Sequence, residues 1–145
     1  MKSSWVYCDT SAFLKLYVKE NGSEEARKIA RKNRLLSSAI LLTECYSALS
    51  RKKEIGEIKE DVFTDLAERL RNDSGRLEVI TLNEEVLQRA EDIALHFNVR
   101  ALDALHIASA LIFQENSGLG LSFLTSDKKQ ANTAKAVRLK TFLVG

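Results

Sequence analysis

Five short β-prone runs, at residues 5–8, 35–38, 76–82, 121–124 and 141–144, recur along the chain, and helical periodicity fills the stretches between them. Alternation of this kind predicts an α/β fold with a mainly parallel sheet, because successive parallel strands need a crossover that a helix supplies. In 83–98 the residues Val86, Leu87, Ala90, Ile93, Ala94 and Phe97 form one apolar stripe at helical spacing. Asn83 is placed to cap that helix, with Glu84 and Glu85 in the first turn, where the helix dipole favours negative charge. Segment 57–72 also reads as a helix, with Ile58, Val62, Leu66 and Leu70 along one side. The chain has no proline, and Gly22, Gly56, Gly75, Gly118 and Gly120 mark the expected turns.

In an open parallel sheet, ligands bind beyond the carboxyl ends of the strands. Two acidic residues stand at that place in this sequence. Asp9 ends the run Trp5-Val6-Tyr7-Cys8, and Asp127 follows Leu121-Ser122-Phe123-Leu124-Thr125-Ser126. Two more acids interrupt apolar segments: Glu44 lies within 39–46 and Asp103 within 101–108. Removing a carboxylate from water costs several kcal/mol unless it is paired. Four acids tied to core-like segments therefore point to one shared site, and the usual reason to collect carboxylates is a hard divalent cation such as Mg²⁺.

Each acid also has a plainer reading. Asp9 suits the N-cap of a helix over 10–19, and Ser126 or Asp127 suits the cap of one over 128–135. Glu44 falls at the edge of the stripe Leu41, Leu42, Cys45, Ala48, Leu49, where a glutamate usually faces water. Asp103 is harder to set aside. From 101 to 113 the pattern is apolar on nearly every face, which marks a buried helix. Aspartate is a poor helix former and a costly burial. It therefore needs a cation shared with Asp9, or a buried partner such as Arg100 or His106. His106 shares a face with Asp103 at i+3 and reads better as a satisfied core histidine than as a catalytic one. His96 near a helix end suits the dipole and nothing more.

At 145 residues, 45% hydrophobic and 29% charged, the chain is long enough for one domain, 1–145, with a sizeable core. No apolar run approaches the roughly 20 residues that span a bilayer. The run after Met1-Lys2-Ser3-Ser4 is too short for a signal segment, so a cytoplasmic protein is expected. Cys8 and Cys45 form no Cys-x-x-Cys pair, which argues against a disulfide scaffold or a zinc site and for two small buried hydrophobes. The net charge of +2 is uninformative as a total. Its distribution says more: Arg27, Lys28, Arg31, Lys32 and Arg34 cluster, as do Arg51, Lys52 and Lys53, and Lys128 with Lys129. Such patches hold phosphates or are simply solvated helix faces.

The sequence resembles the PIN-domain ribonucleases, and among them the VapC-type toxins of toxin–antitoxin modules, in four places that come in the family's order. These are Val6-Tyr7-Cys8-Asp9-Thr10-Ser11, the segment 38–49 with Thr43-Glu44, Arg100-Ala101-Leu102-Asp103-Ala104-Leu105-His106, and Thr125-Ser126-Asp127. The resemblance runs from the first strand almost to the last. One departure is visible: the family often has a glycine shortly before its last strand, where this chain has Val137-Arg138-Leu139. The resemblance implies a three-layer α/β/α sandwich around a five-stranded, mainly parallel sheet, and a Mg²⁺- or Mn²⁺-dependent endoribonuclease. It implies that Asp9, Glu44, Asp103 and Asp127 form the acidic, metal-holding quartet, with Thr10, Ser11, Thr125 and Ser126 beside the metal or the scissile phosphate. It further implies a homodimer and a cognate antitoxin, expected in a groove near Phe13, Tyr17 and the 41–49 helix, with Arg27 or Arg31 in reach of a carboxylate or a phosphate. A PIN nuclease in RNA processing or DNA-directed housekeeping, or an inactive PIN-like binding module, is the alternative. The presence of all four acids argues against the inactive module.

Overall fold

The computed structural model describes residues 4–145, so the reading of residues 1–3 lies outside the described part. The elements run β1 (Trp5–Cys8), α1 (Thr10–Leu14), α2 (Ser23–Lys32), β2 (Arg34–Ser38), α3 (Leu41–Glu54), α4 (Glu60–Ser74), β3 (Glu78–Ile80), α5 (Glu84–His96), α6 (Ala101–Ser117), β4 (Leu121–Thr125), α7 (Lys128–Ala136) and β5 (Lys140–Leu143). The five strands form one sheet in the order β3-β2-β1-β4-β5, and every pairing is parallel. No helix among the described residues is long and apolar enough to cross a membrane.

A parallel sheet must be covered on both faces, and the strand alternation divides the core accordingly. Val6 and Cys8 of β1 pack with Ala12, Ala26, Leu41, Cys45, Leu49, Leu66 and Leu70, which belong to α1 through α4. Tyr7 points the other way and packs with Val86, Ala90 and Ile93 of α5, Ile107, Ala108 and Leu111 of α6, and Phe123 of β4. The result is the expected α/β/α sandwich with β1 at its centre.

This topology decides where the acids go. A helix that follows a parallel strand starts at the carboxyl edge of the sheet, as α1, α3 and α7 do after β1, β2 and β4. A helix that leads into a parallel strand ends at the opposite edge, so α6, which feeds β4, also begins at the carboxyl edge. Asp9 and Asp127 are the N-cap residues of α1 and α7, and Glu44 and Asp103 lie in the first turns of α3 and α6. The strand order reverses between β1 and β4, which is where an open α/β sheet forms its ligand crevice.

Three boundaries differ from the sequence expectation. The first helix ends at Leu14 instead of running to 19, because the N–H groups of Lys15, Leu16 and Tyr17 each bond three residues back and tighten the chain into turns. That bend buries Lys15, whose Nζ reaches the carbonyl of Asn21. The third strand is three residues instead of seven, since Arg76 and Leu77 are spent closing the end of α4 through bonds to Asp73 and Ser74. The third difference is at α4, which covers Glu60–Ser74 instead of 57–72 and leaves Ile58 outside it.

The turn at Val137-Arg138-Leu139, where the resemblance led one to expect a glycine, keeps a left-handed geometry without it. Arg138 has φ 71°, close to the φ of 70° at Gly118 after α6. Its N–H donates to the carbonyl of Lys135 and that of Leu139 to Ala134, the paired bonds of a Schellman ending, while Leu139 and Ala134 are both buried in the core. The left-handed conformation costs a residue with a Cβ about 1–2 kcal/mol. Glycine removes that cost but adds about 0.4–1 kcal/mol of unfolded-chain entropy. Arg138→Gly is therefore expected to stabilise the fold by about 0.5–1 kcal/mol, read as a higher urea midpoint at unchanged slope; a lower midpoint would contradict the strain at this turn.

Candidate active site

Asp9 is the most enclosed of the four acids, at 4% exposure. Its Oδ1 accepts from Ser11 Oγ at 2.7 Å and from the Ala12 N–H at 3.0 Å, and its Oδ2 accepts a short hydrogen bond from Thr125 Oγ1. Thr125 in turn accepts from the Asp127 N–H at 3.0 Å, and Ser11 Oγ accepts from the Ser126 N–H at 3.0 Å. These bonds stitch the turn after β1 to the turn after β4. Asp127 caps α7 with Oδ1 alone, taking the N–H groups of Lys129 and Gln130, and stands exposed. The plain capping reading thus holds for both aspartates, and it leaves carboxylate oxygen free for other work.

Glu44 is half-buried, and its Oε1 accepts from Thr10 Oγ1 at 2.7 Å and pairs with His106 Nε2. Among the described residues its Oε2 accepts nothing. Asp103 is half-exposed at the mouth of α6: Ala101 and Leu102 before it are exposed, and the enclosed stretch starts at Ala104. The apolar pattern correctly marks α6 as buried, but it does not reveal that the first turn emerges at the sheet edge. Among the described residues the Asp103 carboxylate makes no ion pair or hydrogen bond. Arg100 and His106, the partners considered from sequence, do not pair with it.

The electrostatics bind the four together. Burial pushes the Asp9 carboxyl above its ordinary value, and His106, Thr125, Ser11 and Ala12 pull it back only in part. Asp103 is raised as well, first by burial, then by the charges of Asp127 and Asp9, with Glu44 adding to the rise and His106 opposing it. For Glu44 burial acts upward too, but the hydrogen bond and charge of His106 and the hydroxyl of Thr10 together hold it below its ordinary value. Asp103 therefore feels all three other acids. Among the described residues, however, no three His, Cys, Asp or Glu side chains are gathered closely enough to hold an ion between them.

Two features escaped the sequence reading. His106 is 1% exposed and does not serve Asp103; it reaches Glu44, 62 positions away, while Tyr7 holds its other nitrogen at 2.7 Å. Its i+3 spacing from Asp103 pointed to the right neighbourhood and the wrong partner. Gln130 is buried and donates from Nε2 to the Asp103 carbonyl at 3.2 Å, tying α7 to α6; no local pattern announces it. The thiols behave as hydrophobes: burial, then Glu44, pushes Cys45 up to about 12, and burial, then Asp9, raises Cys8 further.

A family model described as PIN domain matches residues 6–136. No curated protein matches the sequence. Similar solved structures include FitAcB from Neisseria gonorrhoeae, with a TM-score of 0.66 at 17% identity over 94% of this chain and 96% of that one. VapC20 from Mycobacterium tuberculosis, described as a sarcin-ricin loop cleaving toxin, has a TM-score of 0.64 at 14% identity over 92% of this chain and 95% of that one. VapBC2 from Rickettsia felis, bound to a DNA fragment from its promoter, has a TM-score of 0.65 at 15% identity over 97% of this chain and 99% of that one. Likeness at these identities speaks to the fold.

The raised carboxyls make metal-free stability depend on pH in an unusual direction. Asp9 and Asp103 hold protons more readily folded than unfolded, so each removes stability as pH rises and returns it as pH falls toward the ordinary value of 3.8. Glu44 acts oppositely, losing its contribution as pH falls below the ordinary 4.5 toward its lowered folded value. In a chelator, the melting temperature is expected to rise as pH falls from neutral toward the ordinary Glu44 value of 4.5, and to rise less in Asp103→Asn, which should itself melt no lower than wild type at neutral pH. Calorimetry at several pH values checks this; a melting temperature that falls over that interval in both proteins would contradict it.

Proposed function

The chain belongs to the PIN domain family, and from that premise we propose that it is a Mg²⁺- or Mn²⁺-dependent endoribonuclease, a single domain over 1–145 that acts in the cytoplasm as the toxin of a toxin–antitoxin pair. The observation that carries this reading is the carboxylate supply at one sheet edge. Glu44 Oε2, both oxygens of Asp103 and Asp127 Oδ2 take no hydrogen bond among the described residues, and Asp103 is raised first by burial and then by its three acidic neighbours. Hard oxygen donors with unrelieved repulsion fit a hard divalent cation.

Asp9, Glu44, Asp103 and Asp127 would hold the ion. When bound, it lowers the pKa of a coordinated water and neutralises charge on the phosphate. The rest falls to the chain's own groups. Ser11, Thr125 and the Ala12 N–H fix Asp9, and Thr10 fixes Glu44, so the hydroxyls beside the acids serve to orient them. Asp103 can hold the ion through one oxygen and orient the attacking water through the other. The first turns of α3, α6 and α7 face the same edge with their positive dipole ends, which favours a phosphate there. Lys128 and Lys129 stand exposed beside Asp127 to meet the RNA backbone.

Solved complexes of toxins with antitoxins are among the structures this chain is similar to, and they support a protein partner here. We place it in the groove lined by Phe13, Leu16, Tyr17, Arg31, Arg34 and Leu77. Arg31 lines that groove, whereas Arg27 and α3 do not. We also propose a homodimer; light scattering at micromolar concentration is expected to return a dimer mass, and a monomer mass alone would contradict it.

The direct test is cleavage of a short RNA with Mn²⁺ or in a chelator. Wild type should cut only with the metal. Asp103→Asn should lower the rate by at least about a hundredfold, the scale of losing a key electrostatic or proton-accepting group. Full activity in the variant would overturn the assignment. Cleavage of DNA alone, or RNA binding without turnover, would favour the alternatives.

A further inference from the structure

The imidazole of His106 is the one buried histidine ring among the described residues, and four elements meet at it. It sits on α6 one turn beyond Asp103, 1% exposed. Its Nδ1 lies 2.7 Å from the Tyr7 hydroxyl of β1, and its Nε2 meets Glu44 Oε1 on α3. Thr10 Oγ1 on α1 donates to that same oxygen at 2.7 Å and lies 3.2 Å from Nε2. The phenol itself is held in place, edge-on to the Phe123 ring with centroids 5.3 Å apart.

The hydrogens follow from donor counting. An ionised carboxylate only accepts, and the one proton of Thr10 is spent on Glu44. Nε2 must therefore carry the hydrogen it gives to Oε1. In a neutral ring Nδ1 is then the acceptor, and the buried Tyr7 O–H is its donor. Two donors now converge on Oε1 and none on Oε2. A glutamate has rotatable bonds to spare, and beside Asp9, Asp103 and Asp127 it would swing toward water without this hold.

We propose that Tyr7 and His106 are positioning residues for Glu44: Tyr7 fixes the imidazole with hydrogen on Nε2, and His106 pins Oε1 so that Oε2 is the oxygen presented to the site. The role in metal binding rests on the nuclease reading above; the proton arrangement and the contact do not. A histidine that merely fills the core would be replaceable by any side chain of its volume. A positioning histidine is replaceable only by one that keeps the N–H.

Three variants separate these roles. His106→Gln retains an N–H near the place of Nε2, His106→Leu keeps bulk without it, and Tyr7→Phe removes only the hydroxyl. Loss of a group that orients a ligand typically lowers metal affinity or activity about 10–100-fold. Mn²⁺ affinity by calorimetry should therefore fall about tenfold or more in His106→Leu, stay within about threefold of wild type in His106→Gln, and fall in Tyr7→Phe. In a Glu44→Gln background, His106→Leu should cause little further loss, because the two act as a unit. Equal affinity in folded His106→Leu and wild type, or additive losses in the double variant, would overturn the positioning role. A second readout needs no metal and no activity. Imidazole ¹⁵N spectra of the metal-free wild type should show hydrogen on Nε2 and a bare Nδ1, with the Nε2 signal moved by Glu44→Gln and the Nδ1 signal moved by Tyr7→Phe. Hydrogen on Nδ1 alone, or signals unmoved by both variants, would overturn the proposal even if the nuclease reading stands. Should wild type neither bind Mn²⁺ nor cut RNA, the nuclease reading and the positioning role in metal binding both fall, and the spectra decide the contact.

Discussion

The carboxylate of Asp9 sits where charge is most costly, at the end of the central strand and almost out of reach of water. It is tolerated because Ser11, Ala12 and Thr125 all donate to it. Two of those donors come from its own helix turn and the third from β4, so the charge is satisfied only when β1 and β4 lie side by side. Ser11 and Thr125 then receive the N–H groups of Ser126 and Asp127. One buried charge thereby sets the register of the crevice. An apolar residue at this position would leave those donors without an acceptor, and a buried unmet polar group costs about 1–3 kcal/mol.

Capping and chemistry are usually treated as rival explanations for an aspartate at a helix start. Here they are the same placement. A cap uses one or two lone pairs of a carboxylate that has about four acceptor positions. Asp127 spends Oδ1 on α7 and keeps Oδ2. A helix start after a parallel strand is also where the sheet delivers side chains to its ligand edge. The residue that best begins the helix is thus already in the right place to hold an ion.

The fold was largely legible because its signals are local. Strand-length apolar runs, helical stripes and the Asn83 cap each depend on neighbours within a few residues, and Asn83 does accept from the Val86 N–H. What eluded the sequence depends on bonds that no apolar stripe or run encodes. The first helix stops early as the chain turns to bring Lys15 to Asn21 and Glu20. The third strand is short because Arg76 and Leu77 bond back to the end of α4. At the site, residue type and strand context singled out the four acids, but which one is most enclosed came out reversed: Asp9 is deeper than Asp103, since burial depends on which end of α6 meets the sheet edge. The pairing of His106 with Glu44 links residues 62 apart, and no periodicity encodes such a contact.

Bonds that complete the site close very long loops: Thr125 reaches Asp9 across 116 positions, and His106 reaches Tyr7 across 99. Closing loops of that length precedes any reward from the contacts they bring. A growing chain emerges from the ribosome at about 5–20 residues per second, and through most of that time β1 has no β4 to pair with. The crevice can thus form only near the end of synthesis, after the elements that carry Asp9, Glu44 and Asp103 have all been made.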